Sequence, residues 1–270
     1  MAPKPIGIVG APHDANSSFM RGPAGAPDVI RQILASDSGN GYSEDGVNVL
    51  AQITDFGDFQ APDSTEGVMA FESAMRGVLE RGVKPIALGG DHAVTHPLVL
   101  AVAEQFGPVD ILHFDAHGDL YPDFEGNPYS HASPFARLLE RGVVNRLVQI
   151  GIRTLTPEQK DVINKYDVES HIWRGVLGEC STLEFERPVY VSIDVDALDP
   201  AFAPGVSHHE PGGMSVRDVL NVLHGLHGNV VAGDIVEFNP LRDINDMTAT
   251  VCAKLVKELA ARLITPGPML

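Results

Sequence analysis

The sequence predicts an α/β protein: a single domain spanning residues 1–270, built as a three-layer sandwich around a mostly parallel sheet of about eight strands. Three observations carry this expectation. Short β-branched or apolar runs bounded by Gly, Pro and Asp alternate with segments of helical periodicity, the pattern of a parallel sheet covered on both faces. A length of 270 residues with 44% hydrophobic content suffices for one large core. No repeat, low-complexity tract or linker interrupts the alternation, and the most loop-like stretch, Ser36 to Asn48, is too short to separate domains.

In chain order, the strand runs are Ile6 to Val9, Gln52 to Phe56, Pro85 to Leu88, Val109 to Phe114, Leu147 to Ile152, Pro188 to Ile193 and Val230 to Ile235. A weaker run, Val168 to Trp173, completes the set. Between them, Thr156-Pro157-Glu158-Gln159 has the spacing of a capping box with Pro at the first helical position. Ser215 is an N-cap candidate ahead of Val216, Val219, Leu220, Leu223 and Leu226, which share one helical face. The last helix runs from about Asp246 to Leu263 and buries Val251, Leu255, Val256, Leu259 and Leu263. In such a fold, ligands sit at the carboxyl ends of the strands.

Composition narrows the partners. With 19 basic and 36 acidic residues the formal net charge is −17, which argues against nucleic acid. The acidic excess suits divalent cations or a cationic substrate. No apolar run approaches the roughly 18 to 20 residues of a membrane span. The opening MAPKPIGIVGAP passes almost directly into a strand-like run with no signal-peptide apolar region, so the expectation is a soluble cytoplasmic protein. Cys180 and Cys252 are too few for a disulfide scaffold or a cysteine metal site and read as reduced, buried thiols.

The strand ends carry the chemistry. After Val109 to Phe114 comes Asp115-Ala116-His117-Gly118-Asp119, whose alternate side chains can project to one side. After Pro188 to Ile193 comes Asp194-Val195-Asp196, with the same alternation, and after Pro85 to Leu88 comes Gly89-Gly90-Asp91-His92, whose glycines permit a sharp turn. His92, Asp115, His117, Asp119, Asp194 and Asp196 cannot gather unpaired, because neighbouring carboxylates repel. Cations resolve the conflict. A thiolate-free set of carboxylates and imidazoles favours manganese over calcium or magnesium, and its size suits two ions about 3.5 to 4 Å apart with an acidified water between them. Asp91, His113 and His96 read as supporting hydrogen bonders or packing residues, and Asp199, before Pro200, as a turn residue.

These segments resemble the ureohydrolase family of arginases, agmatinases and related guanidino or formimino hydrolases. The resemblance rests on Gly89-Gly90-Asp91-His92, Asp115 to Asp119, Ser192 to Pro200 and Val236-Glu237-Phe238-Asn239-Pro240, in family order from Gly7 to the last helix. Ser130-His131-Ala132-Ser133, Ala203 to His208 and Asn16 to Phe19 are most similar to the plant-type arginase branch. The resemblance implies an arginase-like fold and a dimanganese site, two Mn2+ per subunit, with His92, Asp115, Asp119 and Asp194 on one ion and Asp115, His117, Asp194 and Asp196 on the other. It further implies that His131 moves protons to the leaving amine and that Glu237 holds the substrate guanidinium by paired charge-assisted hydrogen bonds.

The implied reaction is hydrolysis at the guanidinium carbon of arginine or agmatine, giving urea and an amine, by a homo-oligomer, trimer or hexamer. Alternatives are a guanidinobutyrate or formimino hydrolase and a non-catalytic metal-stabilised oligomer. A magnesium-dependent phosphoryl-transfer enzyme fits poorly, since no Gly-rich phosphate loop with a following Lys is present. Leu120 to Asp123 and Ile152 to Thr156 depart from the contacts by which animal-type arginases hold the amino-acid end. A charged far end is expected to meet Arg153 if anionic, or Asp123 or Glu210 if cationic. His208 and His209 are candidates either for shaping specificity or for facing solvent.

Overall fold

The computed structural model describes residues 6–265; the first five residues of the opening segment lie outside them. Eight strands form one sheet: β1 (Ile6–Ala11), β2 (Ile53–Asp58), β3 (Lys84–Gly89), β4 (Val109–Phe114), β5 (Val144–Ile152), β6 (Glu169–Ile172), β7 (Val189–Asp194) and β8 (Val230–Val236). Their spatial order is β2-β1-β3-β8-β7-β4-β5-β6, and every pairing is parallel. Each strand run expected from sequence forms, with ends shifted by at most three residues. The central strands β4, β7 and β8 are buried throughout, whereas the edge strand β2 is half-buried to exposed. This contrast is what crossover helices on both faces produce.

Helices α1 (Ala26–Leu34), α6 (Val216–His224) and α7 (Met247–Ile264) cover one face, packing Ile30, Val219, Leu223, Leu255 and Leu259 against Ile86, Leu112 and Val191. Helices α2 (Ala70–Leu79), α3 (Thr95–Phe106), α4 (Pro134–Glu140) and α5 (Pro157–Tyr166) cover the other, where Phe71, Met75, Leu98 and Leu138 meet Ala87, Ile111 and Tyr190. Sheet residues two apart thus feed the same core. Both expected capping boxes form, Thr156 with Gln159 and Ser215 with Asp218. Leu226 is a correction: α6 ends at His224, and Leu226–His227 pairs instead as a two-residue strand with Leu183–Glu184. Cys180 and Cys252 are buried, as expected. No helix among the described residues is long and apolar enough to cross a membrane.

Register brings the strand ends level. Phe114 pairs with Ile193, Ile193 with Ile235, and Ile235 with Leu88. The residues just beyond, Asp115, Asp194, Val236 and Gly89, therefore lie side by side across four adjacent strands. The chain runs outward from β4 to β6 and returns to insert β7 and β8 between β3 and β4, so the candidate residues meet where the sheet order switches.

Candidate active site

Each strand end is locked by its own backbone. Asp115 Oδ1 accepts the His117 N–H at 2.6 Å, Asp194 Oδ1 accepts the Asp196 N–H at 2.8 Å, and Asp196 Oδ1 accepts the Ala116 N–H at 3.1 Å, joining the ends of β4 and β7. Gly90 donates to the Ala11 carbonyl at 3.0 Å and its own carbonyl accepts the Glu237 N–H at 2.9 Å. A Cβ there would collide with the His13 backbone, so only glycine fits. The His92 N–H donates to Glu237 Oε1 at 2.9 Å.

The side chains converge as the spacing predicted. His92 Nδ1 lies 2.9 Å from Asp119 Oδ2, 3.2 Å from Asp194 Oδ2 and 3.3 Å from Asp115 Oδ2. His117 Nδ1 lies 3.1 Å from Asp196 Oδ2 and 3.3 Å from Asp115 Oδ1. Three groups bring donor atoms within 4.8 Å of one another: His92 with Asp115, Asp119 and Asp194, Asp115 with His117 and Asp196, and His92 with His113 and Asp115, of which the first two hold the residues expected as ligands. Asp115 is common to both. The second group differs from the implied set in lacking Asp194.

The donor set fits a metal. His92 Nδ1 is buried without a hydrogen-bond partner although three carboxylates surround it, while Nε2 is 2.9 Å from Ser192 Oγ. Ser192 Oγ donates to Asp234 Oδ1 at 2.7 Å, so it accepts from His92 Nε2 and leaves the Nδ1 lone pair facing the carboxylates. Tyr190 and Thr95 hydroxyls complete the hold on Asp234 Oδ2, each at 2.7 Å. Without a cation the carboxylates oppose one another. Burial and then Asp115 push Asp119 up to about 6, and burial, Asp196 and Asp115 push Asp194 well above the usual carboxylate range. Divalent ions relieve both burdens.

Beside this cluster, His131 Nδ1 is 2.8 Å from Glu237 Oε1, and its Nε2 is 2.8 Å from Ser18 Oγ and 3.2 Å from the Ser18 N–H. Burial lowers the His131 pKa, but the Glu237 carboxylate outweighs it and the imidazole is raised to about 9. Asp91 supports this corner by accepting the Asn16 N–H at 2.9 Å and the Ser17 hydroxyl at 3.3 Å. His113 also joins the site, through Asp115 at 2.9 Å. His96 is buried in α3 and takes no part in it.

A cavity of about 200 Å³ opens over these groups, lined also by Tyr121, Phe124, Thr154, Thr156, Gln159 and His208. Arg153, Asp123 and Glu210, expected at the far end, do not line it. Arg153 is consumed by main-chain carbonyls of Gly151, Asp196, Ala197 and Glu210 at 2.6 to 3.1 Å, so it ties the Asp196–Ala197 turn to Glu210. Asp123 is exposed and accepts the Gly126 N–H. His208 turns inward, its ring 5.2 Å from His131 and 5.6 Å from Phe19, whereas His209 is exposed and bonds the Pro204 carbonyl. Asp199 is the expected turn residue, accepting the N–H groups of Ala201, Gly212 and Gly213. Thr156 and Gln159 read from sequence only as a helix cap, and nothing in their spacing announced that the cap also walls the cavity.

A sheet whose central carboxyl ends gather carboxylates and imidazoles beside an acid–histidine pair defines a hydrolase of the ureohydrolase class. The chain belongs to the arginase family: the Arginase family model matches residues 4–261. It is 48% identical over 274 residues to the mitochondrial arginase of Medicago truncatula, covering 95% of this chain and 81% of that one, and equally so to mitochondrial arginase 1 of Oryza sativa subsp. indica, with the same coverage. The solved arginase structure from Medicago truncatula superposes with a TM-score of 0.91 at 46% identity, covering 97% of this chain and 87% of that one. The enzyme thus acts on the C–N bond of a small guanidino substrate.

The expectation of a cytoplasmic location is overturned by these relatives, which are named mitochondrial. The absence of a membrane-length apolar run speaks only to crossing a bilayer. Compartment is set by targeting segments that lie outside a folded core.

Proposed function

We propose that the chain hydrolyses the guanidinium group of arginine to urea and an amine, with two manganese ions per subunit held by His92, Asp115, His117, Asp119, Asp194 and Asp196. The observation that carries this reading is the pair of ligand groups sharing Asp115, set against the His131–Glu237 pair. Arginine is preferred because the similar plant proteins are named arginases. The whole chain, residues 1–270, acts as one catalytic domain, its assembly is a homo-oligomer, trimer or hexamer, and the relatives' names favour an organellar location.

When bound, the ions supply Lewis acidity and a water acidified enough to serve as nucleophile near neutral pH. Glu237 orients the planar guanidinium. Both protein donors to its carboxylate, His92 N–H and His131 Nδ1, fall on Oε1, leaving Oε2 to the substrate. Raised to about 9, His131 carries a proton at neutral pH, and a general acid beside the reacting carbon can deliver it to the departing amine. The protonated ring donates its Nε2–H to Ser18 Oγ, 2.8 Å away, which keeps it in place for that transfer.

Agmatine is the second reading, favoured by a cavity whose charged lining is Asp119, Asp194, Asp196 and Glu237 with its histidines and neither Lys nor Arg. The test is urea release by manganese-loaded protein on arginine, agmatine, guanidinobutyrate and guanidine, each with a chelated control. Metal-dependent urea from arginine above the others is expected. Urea from agmatine alone replaces the substrate, and none from any compound sinks the reading.

A further inference from the structure

His113 and Gln149 are polar residues paired directly across β4 and β5, both fully buried. Gln149 Nε2 lies 2.7 Å from the Gly118 carbonyl, and only an amide nitrogen can serve that acceptor, so the orientation of the Gln149 amide is fixed. The same NH2 group lies 3.0 Å from His113 Nδ1. That ring nitrogen must therefore accept. The His113 proton then sits on Nε2, 2.9 Å from Asp115 Oδ2, where it donates.

The consequence falls on the carboxylate shared by both ligand groups. Asp115 Oδ1 is held by the His117 N–H and Oδ2 by His113 Nε2, so each oxygen has one fixed donor and turns its remaining lone pair toward His117 or His92. The opposite tautomer would set N–H against NH2 at one ring nitrogen and a lone pair against a carboxylate at the other. Gln149 Oε1 is buried without a partner, yet the amide keeps the orientation in which its nitrogen donates twice. Phe135 closes the arrangement, its ring 4.0 Å from that of His113.

We propose that Gln149 is a positioning residue: it fixes His113 as the Nε2–H tautomer and through it aims Asp115 at the metals. The inference rests on the proposed metal role of Asp115; what it adds is dependence on a residue whose side-chain bonds, among the described residues, reach Gly118 and His113 and no ligand.

The test uses protein labelled with 15N in its histidine rings, metal-free, with the His113 signals assigned by their loss in His113→Phe. Wild type, Gln149→Leu and Gln149→Glu are compared, and manganese affinity is measured by competition with a chelator. Wild type is expected to show the Nε2–H tautomer. Gln149→Leu should mix tautomers, and Gln149→Glu, which offers only acceptors, should move a proton to Nδ1. Both variants should lose roughly 10- to 100-fold in manganese affinity while keeping the wild-type circular dichroism spectrum. A wild-type Nδ1–H tautomer overturns the proposal without any variant. Folded variants with unchanged tautomer or unchanged affinity overturn it too. Should wild type itself take up no divalent ion, the metal reading of the site fails, while the ring spectra still decide whether Gln149 governs His113.

Discussion

Glu237 and Asp119 hold left-handed backbone conformations, with φ of 63° and 50°, which cost a non-glycine residue of order 1 kcal/mol and persist only where surrounding contacts over-determine them. At Glu237 those contacts are the Gly90 carbonyl, the His92 N–H and His131. Glu237→Gln keeps the size of the side chain and an acceptor for His131 but removes the charge. Manganese uptake should be unchanged, while kcat/KM should fall by about 10²- to 10³-fold, the consequence of breaking a buried charge-assisted contact. The same variant tests the imidazole. In wild type burial lowers His131 and Glu237 more than compensates, to about 9; without that carboxylate only Asp91 and Asp119 still oppose burial, and the ring should titrate below its wild-type value. Because the folded pKa is raised, the ion pair stabilises fully below pH 6.5 and is lost as pH rises through about 9. The stability gap between the two proteins, followed by denaturant unfolding without metal, should therefore narrow across that window.

Among the elements, the strands were legible because burial on both faces leaves continuous apolar runs, and the caps because their chemistry is local. What the sequence could not convey is that β7 and β8 insert between β3 and β4, since register across non-consecutive strands is a property of the folded sheet. The same holds for Ser192 and Asp234, which orient His92: each interrupts an apolar strand with a buried polar group, a visible signal whose partner cannot be named before the strands are paired. Leu226 was misassigned because helical periodicity continues past the point where the backbone leaves the helix at Gly225. The α6 cap offers a test of element stability, because no residue of α6 lines the cavity. Ser215→Ala removes the hydroxyl that accepts the Asp218 N–H and should cost about 1 kcal/mol, a fall of roughly 2 to 4 °C in thermal midpoint. Urea kinetics should not change; a parallel loss of turnover would mean that α6 is coupled to the site.

For the molecule as a whole, a net charge of −17 and a buried group of four aspartates make stability depend on cations in two separable ways. Monovalent salt screens the surface charges over a Debye length of about 10 Å at 0.1 M, but screens the buried cluster far less. Manganese acts at the cluster by mass action, adding about 2.7 kcal/mol when its free concentration is a hundredfold above Kd. Chelation should therefore lower the thermal midpoint by several degrees at constant ionic strength, and restored manganese should raise it in proportion to the logarithm of concentration. Protons compete for the same ligands. In the metal-free protein burial, then Asp115, raises Asp119 to about 6 from 3.8, so its ionised form burdens the fold fully above pH 6, and that burden lifts as pH falls toward 3.8. Falling pH thus favours the metal-free state while weakening metal binding, and the manganese-dependent gain should shrink from pH 8 to pH 5. A gain that is independent of pH, or matched by sodium chloride alone, would locate the effect at the surface and remove the cluster's claim to be a metal centre.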